Sequence, residues 1–202
     1  MCDVVGIYGG TFSPPHIGHI HAAKTFYDAI QPSKLLIIPS FIPPHKEVET
    51  PIDGEDRLAM CELAFSSITN TVVSDIELVR KGKSYTADTL TALKEQFGEC
   101  KLAFLLGTDM MLTLDSWYRP DLIFSLCDLY CIRREDDGAT FEQIEMKNKA
   151  YQETYGKQVT IISAPAIAVS SSDLRSILRD GRETDLIPAT VLAYIQSRGL
   201  YK

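Results

Sequence analysis

The chain carries no basic surplus: 20 Lys and Arg stand against 27 Asp and Glu, a formal net charge of −7. A nucleic-acid backbone needs a basic footprint, so a general nucleic-acid binder is excluded. No apolar run approaches membrane-spanning length and no charged-then-apolar leader opens the sequence, so a cytoplasmic protein without membrane contact is expected. The five cysteines (Cys2, Cys61, Cys100, Cys127 and Cys131) are odd in number and scattered, mostly inside apolar runs. That suits reduced core thiols rather than a disulfide framework, and Cys127 with Cys131 finds no matching Cys or His for a zinc site. The Gly-x-x-x-x-Gly-Lys phosphate loop is missing, and so is the Gly-x-Gly-x-x-Gly dinucleotide fingerprint. No carboxylate pair suggests hydrolysis, and no Ser-His-Asp set is readable. Repeats, low-complexity tracts and linkers are also lacking. The 202 residues suit a single domain, 1–202, with a helical C-terminal part over roughly 165–202.

What is present begins with Gly9-Gly10-Thr11-Phe12-Ser13-Pro14-Pro15-His16-Ile17-Gly18-His19. An apolar run, Asp3 to Tyr8, precedes it and reads as a buried strand. Ile17, Ile20, Ala23, Phe26, Tyr27 and Ile30 follow at helical spacing. The stretch is therefore a strand, a turn of small residues, and the first turn of a helix. Glycines let a backbone approach a ligand closely, and a helix start presents N–H groups that favour anions. His16 and His19, three apart, share a helix face there. His21 faces elsewhere and reads as an ordinary helix residue.

Further apolar runs at Leu35–Ile38, Thr71–Ser74, Lys101–Leu106, Leu129–Ile132 and Val159–Ile162 alternate with helical patterns. Ile76 to Val79 extends the third strand or adds a short neighbour. Ser84 or Thr86 is expected to cap a helix over Ala87 to Phe97, and Ser170 to Asp173 one over Leu174 to Leu178. Strands that are apolar end to end argue for a parallel sheet covered on both faces, so the fold expected is a doubly wound, Rossmann-like α/β sheet. Such sheets bind ligands outside the carboxyl ends of their strands. The polar segments that follow strands are Gly9 to His19, Pro39 to Lys46, Gly107 to Asp109, Arg133-Arg134 and Ser170 to Arg175. Imidazoles, mobile cations at Lys46 and Arg175, and serine hydroxyls at a helix start suit a triphosphate. The chemistry they allow is phosphoryl or nucleotidyl transfer by positioning and charge stabilisation.

The Gly9–His19 stretch, followed late in the chain by Val169-Ser170-Ser171-Ser172-Asp173-Leu174-Arg175, resembles the nucleotidyltransferase superfamily with its His-x-Gly-His signature. Ile42-Pro43-Pro44-His45-Lys46, Ser84 to Leu90, Leu106 to Asp109, Trp117 and the closing Gly199-Leu200-Tyr201 narrow the resemblance to the bacterial nicotinate-nucleotide adenylyltransferases. That resemblance implies ATP and nicotinate mononucleotide as substrates, deamido-NAD and pyrophosphate as products, and Mg²⁺ mainly on the ATP phosphates. It implies His16, His19 and Arg175 as catalytic residues. Gly9, Gly10, Thr11 and Phe12 would line the nucleotide channel, Gly107 and Asp109 would face the adenosine ribose, and Ser171 and Ser172 would join Arg175 on the β and γ phosphates. Lys46 would neutralise the mononucleotide phosphate and Arg134 would serve the mononucleotide too, with Arg133 an equal neighbour of Arg134. Tyr85, Thr86, Trp117 and Tyr118 would form the nicotinate pocket. The other readings are a related transferase acting on nicotinamide mononucleotide or phosphopantetheine, and a nucleotide sensor without turnover. A homo-oligomer is left open. One position departs from the family: Ser13 stands where Asp is usual, or Asn in relatives. A local hydrogen bond from its hydroxyl is expected to preserve the loop.

Overall fold

Apolar runs of three to eight residues become strands, and the amphipathic stretches between them become helices. The computed structural model describes residues 4–44, 52–134, 138–165 and 167–202. In chain order the elements are β1 (Val4–Gly10), α1 (Ile17–Ile30), β2 (Lys34–Pro39), α2 (Gly54–Phe65), β3 (Thr71–Val73), α3 (Ile76–Arg80), α4 (Thr86–Phe97), β4 (Lys101–Gly107), α5 (Thr108–Leu112), α6 (Pro120–Leu126), β5 (Cys127–Arg134), α7 (Gly138–Tyr155), β6 (Thr160–Ala164), α8 (Ser171–Arg179) and α9 (Ala189–Arg198). The six strands form one sheet in the order β3-β2-β1-β4-β5-β6. β1 pairs in parallel with β4, β4 with β5, and β5 with β6. The order runs outward from β1 in one direction and then in the other. Right-handed crossovers therefore place helices on both faces, which is the doubly wound fold expected. Among the described residues, no helix is long and apolar enough to cross a membrane.

The chain divides into two compact units. One holds residues 1–8, 25–35 and 85–166. Its centre is β4, where Leu102 to Leu106 are buried on both faces, as the middle strand of a parallel sheet must be. Helix α7 is bound to this unit by its C-terminal half. Tyr151 donates its hydroxyl to the Met111 carbonyl at 2.6 Å, and Tyr155 stacks on Phe124 with ring centroids 4.3 Å apart. The Asn148 amide donates to the Val159 carbonyl at 2.9 Å and accepts from the Val159 N–H at 2.8 Å, which sets the start of β6. The other unit holds residues 9–24, 36–84 and 167–202. Here the Asp56 carboxylate on α2 accepts from Tyr194 Oη at 2.8 Å and Arg198 Nε at 3.1 Å, both on α9.

Several local expectations give way to hydrogen bonding that the apolar pattern does not carry. Ile76 to Arg80 is helix α3, not strand: the Ser74 hydroxyl accepts from the Ile76 N–H at 3.4 Å and turns the chain into it. Neither Ser84 nor Thr86 caps α4; Ser84 Oγ instead accepts from the Phe41 N–H at 2.8 Å, and Tyr85 occupies the cap position through its backbone. Arg133 and Arg134 lie within β5, where they pair with Ser163 and Ala164, rather than after it. Gly107 to Asp109 begins the short helix α5. Cys61, Cys127 and Cys131 are free and buried as expected, and burial pushes the Cys127 thiol up to about 12. Cys100, in contrast, is disulfide-bonded; it is buried just before β4.

The Asn148 bonds replace a ladder at the lip of β6, so Asn148→Ala should leave two backbone groups of Val159 without protein partners. At about 1 kcal/mol for each bond, the expected loss is about 2 kcal/mol. It is read as a lower urea midpoint with an unchanged slope.

Candidate active site

Strand β1 ends at Gly9-Gly10, and the chain crosses to α1 through residues 11–16, which belong to neither sheet nor helix. Phe12 makes the turn with a left-handed backbone, φ 48°, and buries its ring to 1% exposure. The ring lies over Gly10, where a Cβ would come within 2.9 Å of it. It also meets the edges of Phe65 at 5.6 Å and His19 at 5.1 Å. Phe12 is thus the floor under the turn, and its side chain supports the histidine.

His16 closes the loop. Its carbonyl starts α1 by accepting from the His19 and Ile20 N–H groups at 2.9 and 3.1 Å. Its own N–H donates to His19 Nδ1 at 3.3 Å, the reciprocal half of a capping box with imidazole in place of a carboxylate. A ring nitrogen that accepts carries no proton, so in the neutral imidazole the His19 proton sits on Nε2. The two imidazoles stack, centroids 3.7 Å apart and planes 27° from parallel. Gly18 between them is required by space: a Cβ there would stand 2.8 Å from Val169 Cγ1 and 3.1 Å from His16 Nδ1.

That contact brings the late serine segment to the same loop. Ser170 caps α8 by accepting from the Asp173 N–H at 3.1 Å, as expected, and donates to the Asp173 carboxylate at 2.7 Å. Ser171 Oγ donates to the Pro14 carbonyl at 3.3 Å. Arg175 donates through Nη1 to the Ser13 carbonyl at 2.9 Å and through Nη2 to Ser172 Oγ at 3.0 Å. The predicted phosphate set of Gly9 to Thr11, His16, His19, Ser171, Ser172 and Arg175 therefore forms one group within a single unit.

Two anchors of this loop escaped the sequence reading. Arg57 on α2, 5% exposed, donates from Nη1 to the Thr11 carbonyl at 3.1 Å and from Nε to the Ile52 carbonyl at 3.2 Å. Burial pulls its guanidinium below the ordinary arginine value. Tyr201 Oη lies 3.0 Å from the hydroxyl of Ser13, itself 2% exposed. The Ser13 hydroxyl thus does bond, but across 188 positions rather than within its own turn. Arg57 could have drawn notice as a cation inside the apolar face of α2; Tyr201 was marked only as part of the closing Gly199-Leu200-Tyr201, with no role attached.

Tyr85, Thr86, Gly107, Asp109, Trp117, Tyr118 and Arg134 belong to the unit of residues 1–8, 25–35 and 85–166. Tyr85 precedes α4 and Thr86 is its first residue. The Tyr85 ring packs on Tyr118, centroids 4.6 Å apart, and Tyr118 remains 49% exposed. Trp117 is half-buried and closes a tight turn by donating its N–H to the Leu114 carbonyl at 3.1 Å. Gly107 is exposed, and no atom lies within 4 Å of where its Cβ would be. Asp109 lies in the first turn of α5, exposed, and does not cap it. Arg133 stacks its guanidinium on Phe141 at 5.0 Å. The Arg134 side chain, like Lys46 and His45, lies outside the described residues. No group of three or more His, Cys, Asp or Glu among the described residues is arranged to hold a metal ion.

The cytidylyltransferase-like family model matches residues 7–177 of this chain. Among curated proteins the chain is similar to a "Probable nicotinate-nucleotide adenylyltransferase" of Geobacillus kaustophilus, 36% identical over 198 residues that cover 98% of this chain and 85% of that protein. A protein of the same name from Neisseria meningitidis is 33% identical over 198 residues, 98% of each chain. Among solved structures, the Plasmodium falciparum nicotinic acid mononucleotide adenylyltransferase complexed with NaAD matches with a TM-score of 0.75 over 98% of this chain and 97% of that one. At 18% identity that likeness concerns the fold.

The packing at Gly18 yields a direct expectation. Gly18→Ala forces α1 away from Val169 or turns the His16 ring, and overpacking of this kind costs about 1–3 kcal/mol. Thermal unfolding should show a clearly lowered midpoint, whereas an unchanged midpoint would mean that the contact gives way freely.

Proposed function

We infer that this chain, which belongs to the cytidylyltransferase-like family and has full-length relatives among the nicotinate-nucleotide adenylyltransferases, transfers the adenylyl group of ATP to nicotinate mononucleotide. The products are deamido-NAD and pyrophosphate. The observation that carries the reading is the grouping, around one loop, of two stacked imidazoles, the Arg175 guanidinium and the α8 serines. All are donors suited to phosphate oxygens, which fits transfer by positioning and charge stabilisation.

In this reading an oxygen of the mononucleotide 5′-phosphate attacks the ATP α-phosphorus in line. The new P–O bond forms as the bond from the α-phosphorus to the α,β-bridging oxygen breaks, and pyrophosphate leaves with that electron pair. His19, with its proton on Nε2, and His16 stabilise the charge that builds on the α-phosphoryl and bridging oxygens. Arg175, Ser171 and Ser172 hold the β and γ phosphates. A guanidinium has five N–H donors and the two bonds it now makes are to neutral oxygens, so a phosphate would be the stronger partner. Gly9, Gly10 and Thr11, with the backbone of Phe12, border the nucleotide, and Gly107 and Asp109 face the adenosine ribose. Tyr85, Thr86, Trp117 and the backbone at Tyr118 receive the nicotinate ring; paired aromatic faces such as Tyr85 and Tyr118 favour a flat pyridinium. Lys46 and Arg134 complete the reading at the mononucleotide phosphate.

Mg²⁺ enters with ATP as part of the substrate and supplies charge neutralisation on its phosphate oxygens. The imidazole, guanidinium and hydroxyl groups of the loop are donors to those oxygens rather than a cage for a resident cation. A cytoplasmic location belongs to the same reading, as does treatment of both units as one nucleotidyltransferase domain.

Pyrophosphate release measured with ATP and, in turn, nicotinate mononucleotide, nicotinamide mononucleotide and phosphopantetheine tests the proposal. The acid form is expected to be the preferred acceptor; turnover of another acceptor with none of the acid would sink the choice. In the same assay His19→Ala should lower kcat by about 100- to 1,000-fold while the chain still folds cooperatively. Full turnover in that variant would remove His19 from the mechanism.

A further inference from the structure

We propose that Tyr201 is a positioning residue for nucleotide transfer, acting through Ser13 to hold the phosphate loop in place while Arg175 engages substrate. The inference rests on the adenylyl-transfer reading above, and it starts from how the loop is held. Three of its carbonyls are met by side chains from distant elements: Thr11 by Arg57, Ser13 by Arg175 and Pro14 by Ser171. Two of those three donors, Arg175 and Ser171, are the groups assigned to the β and γ phosphates. When they turn to a triphosphate, the Ser13 and Pro14 carbonyls give up part or all of that support. Tyr201 holds the same residue through its side chain, at 3.0 Å from Ser13 Oγ, and has no assigned substrate contact.

The local structure delivers Tyr201 to that point. Gly199 ends α9 with a left-handed backbone, φ 65°, and its N–H bonds to the Gln196 carbonyl at 3.2 Å. The Leu200 N–H reaches the Ile195 carbonyl at 3.0 Å, the pair of bonds that defines a Schellman cap. Tyr201 follows with a positive φ of its own, 63°, and is 6% exposed. A left-handed backbone at a bulky residue is costly and persists where surrounding structure requires it. Burial pushes the phenol up to about 12, so it is a neutral hydroxyl at physiological pH. Pro14 and Pro15 follow Ser13 directly, and their fixed φ angles transmit a displacement of Ser13 to His16 rather than absorbing it. Small misplacements of groups that act on the transition state fall on turnover more than on acceptor binding.

Tyr201→Phe, Ser13→Ala and the double variant are compared with the parent chain in pyrophosphate release from ATP and nicotinate mononucleotide. Unfolding midpoints and the calorimetric affinity for the nonhydrolysable analogue α,β-methylene-ATP are measured alongside. Each single variant should lower kcat by about 3- to 10-fold, the scale of one hydrogen bond, with KM for nicotinate mononucleotide within about twofold of the parent. The double variant should match the singles, because both remove the same bond. Unchanged kcat in either single, multiplied losses in the double, or an effect confined to KM for the mononucleotide would each overturn the proposal. A parent chain that makes no deamido-NAD would defeat the adenylyl-transfer reading alone. Tyr201 would then be judged on the analogue: about 3- to 10-fold weaker binding in each single and no further loss in the double supports it, and any other pattern rejects it.

Discussion

A backbone that leaves a strand and has not yet entered a helix must satisfy its carbonyls without a ladder. Residues 11–16 are in that position, and the site is built on how they meet the requirement. Arg57, Arg175 and Ser171 reach in from α2 and α8 to Thr11, Ser13 and Pro14. Phe12, buried beneath the turn, fixes the depth of the loop and lends an edge to His19. Because the loop is held from outside itself, His16 can close it by starting α1. The stacked pair of imidazoles follows from that closure, since His19 Nδ1 is tied to the His16 N–H.

The same arrangement explains how an acidic chain presents a site for a polyanion. The net charge of −7 gives no long-range attraction for ATP. Local groups decide instead: two guanidiniums and two imidazoles lie on one loop of the same unit, and α8 opens toward that loop with its serines. Arg57 is buried and bound to the Thr11 and Ile52 carbonyls, so its charge holds the loop from behind. Arg175 is only half-buried and can exchange a carbonyl for a phosphate. Holding cations against neutral carbonyls before substrate arrives keeps their positions set and limits the ordering needed on binding.

The sequence made the frame of this molecule readable and left its fastenings hidden. Lys101 to Leu106 and Leu35 to Ile38 announce buried strands because a parallel sheet covered on both faces demands unbroken apolar runs. The Gly-Gly turn, the helix start at Ile17 and the serine cap of α8 are local events, and local residues report them. Ile76 to Arg80 was opaque for the opposite reason: its start depends on one serine turn, and a five-residue helix has too short a period to show. Arg57, Asp56 and Tyr201 act across 46, 138 and 188 positions respectively, and nothing in their neighbours along the chain tells of the partner. The resemblance to a family supplied candidates for the substrate-facing groups, which motifs mark, but not for the groups behind them.

Ser13 shows what such a fastening must satisfy. At 2% exposure a carboxylate here would need charged partners close at hand, since an unpaired buried charge is costly. Arg175 meets position 13 through the carbonyl, and Arg57 is engaged at Thr11 and Ile52, so a carboxylate would draw on guanidiniums that already have work. Two hydroxyls ask for less. Each can donate or accept, both are neutral, and the Ser13–Tyr201 pair satisfies one with the other at 3.0 Å. Serine therefore anchors the loop without adding a charge beneath Arg175, whose guanidinium meets position 13 through the carbonyl alone.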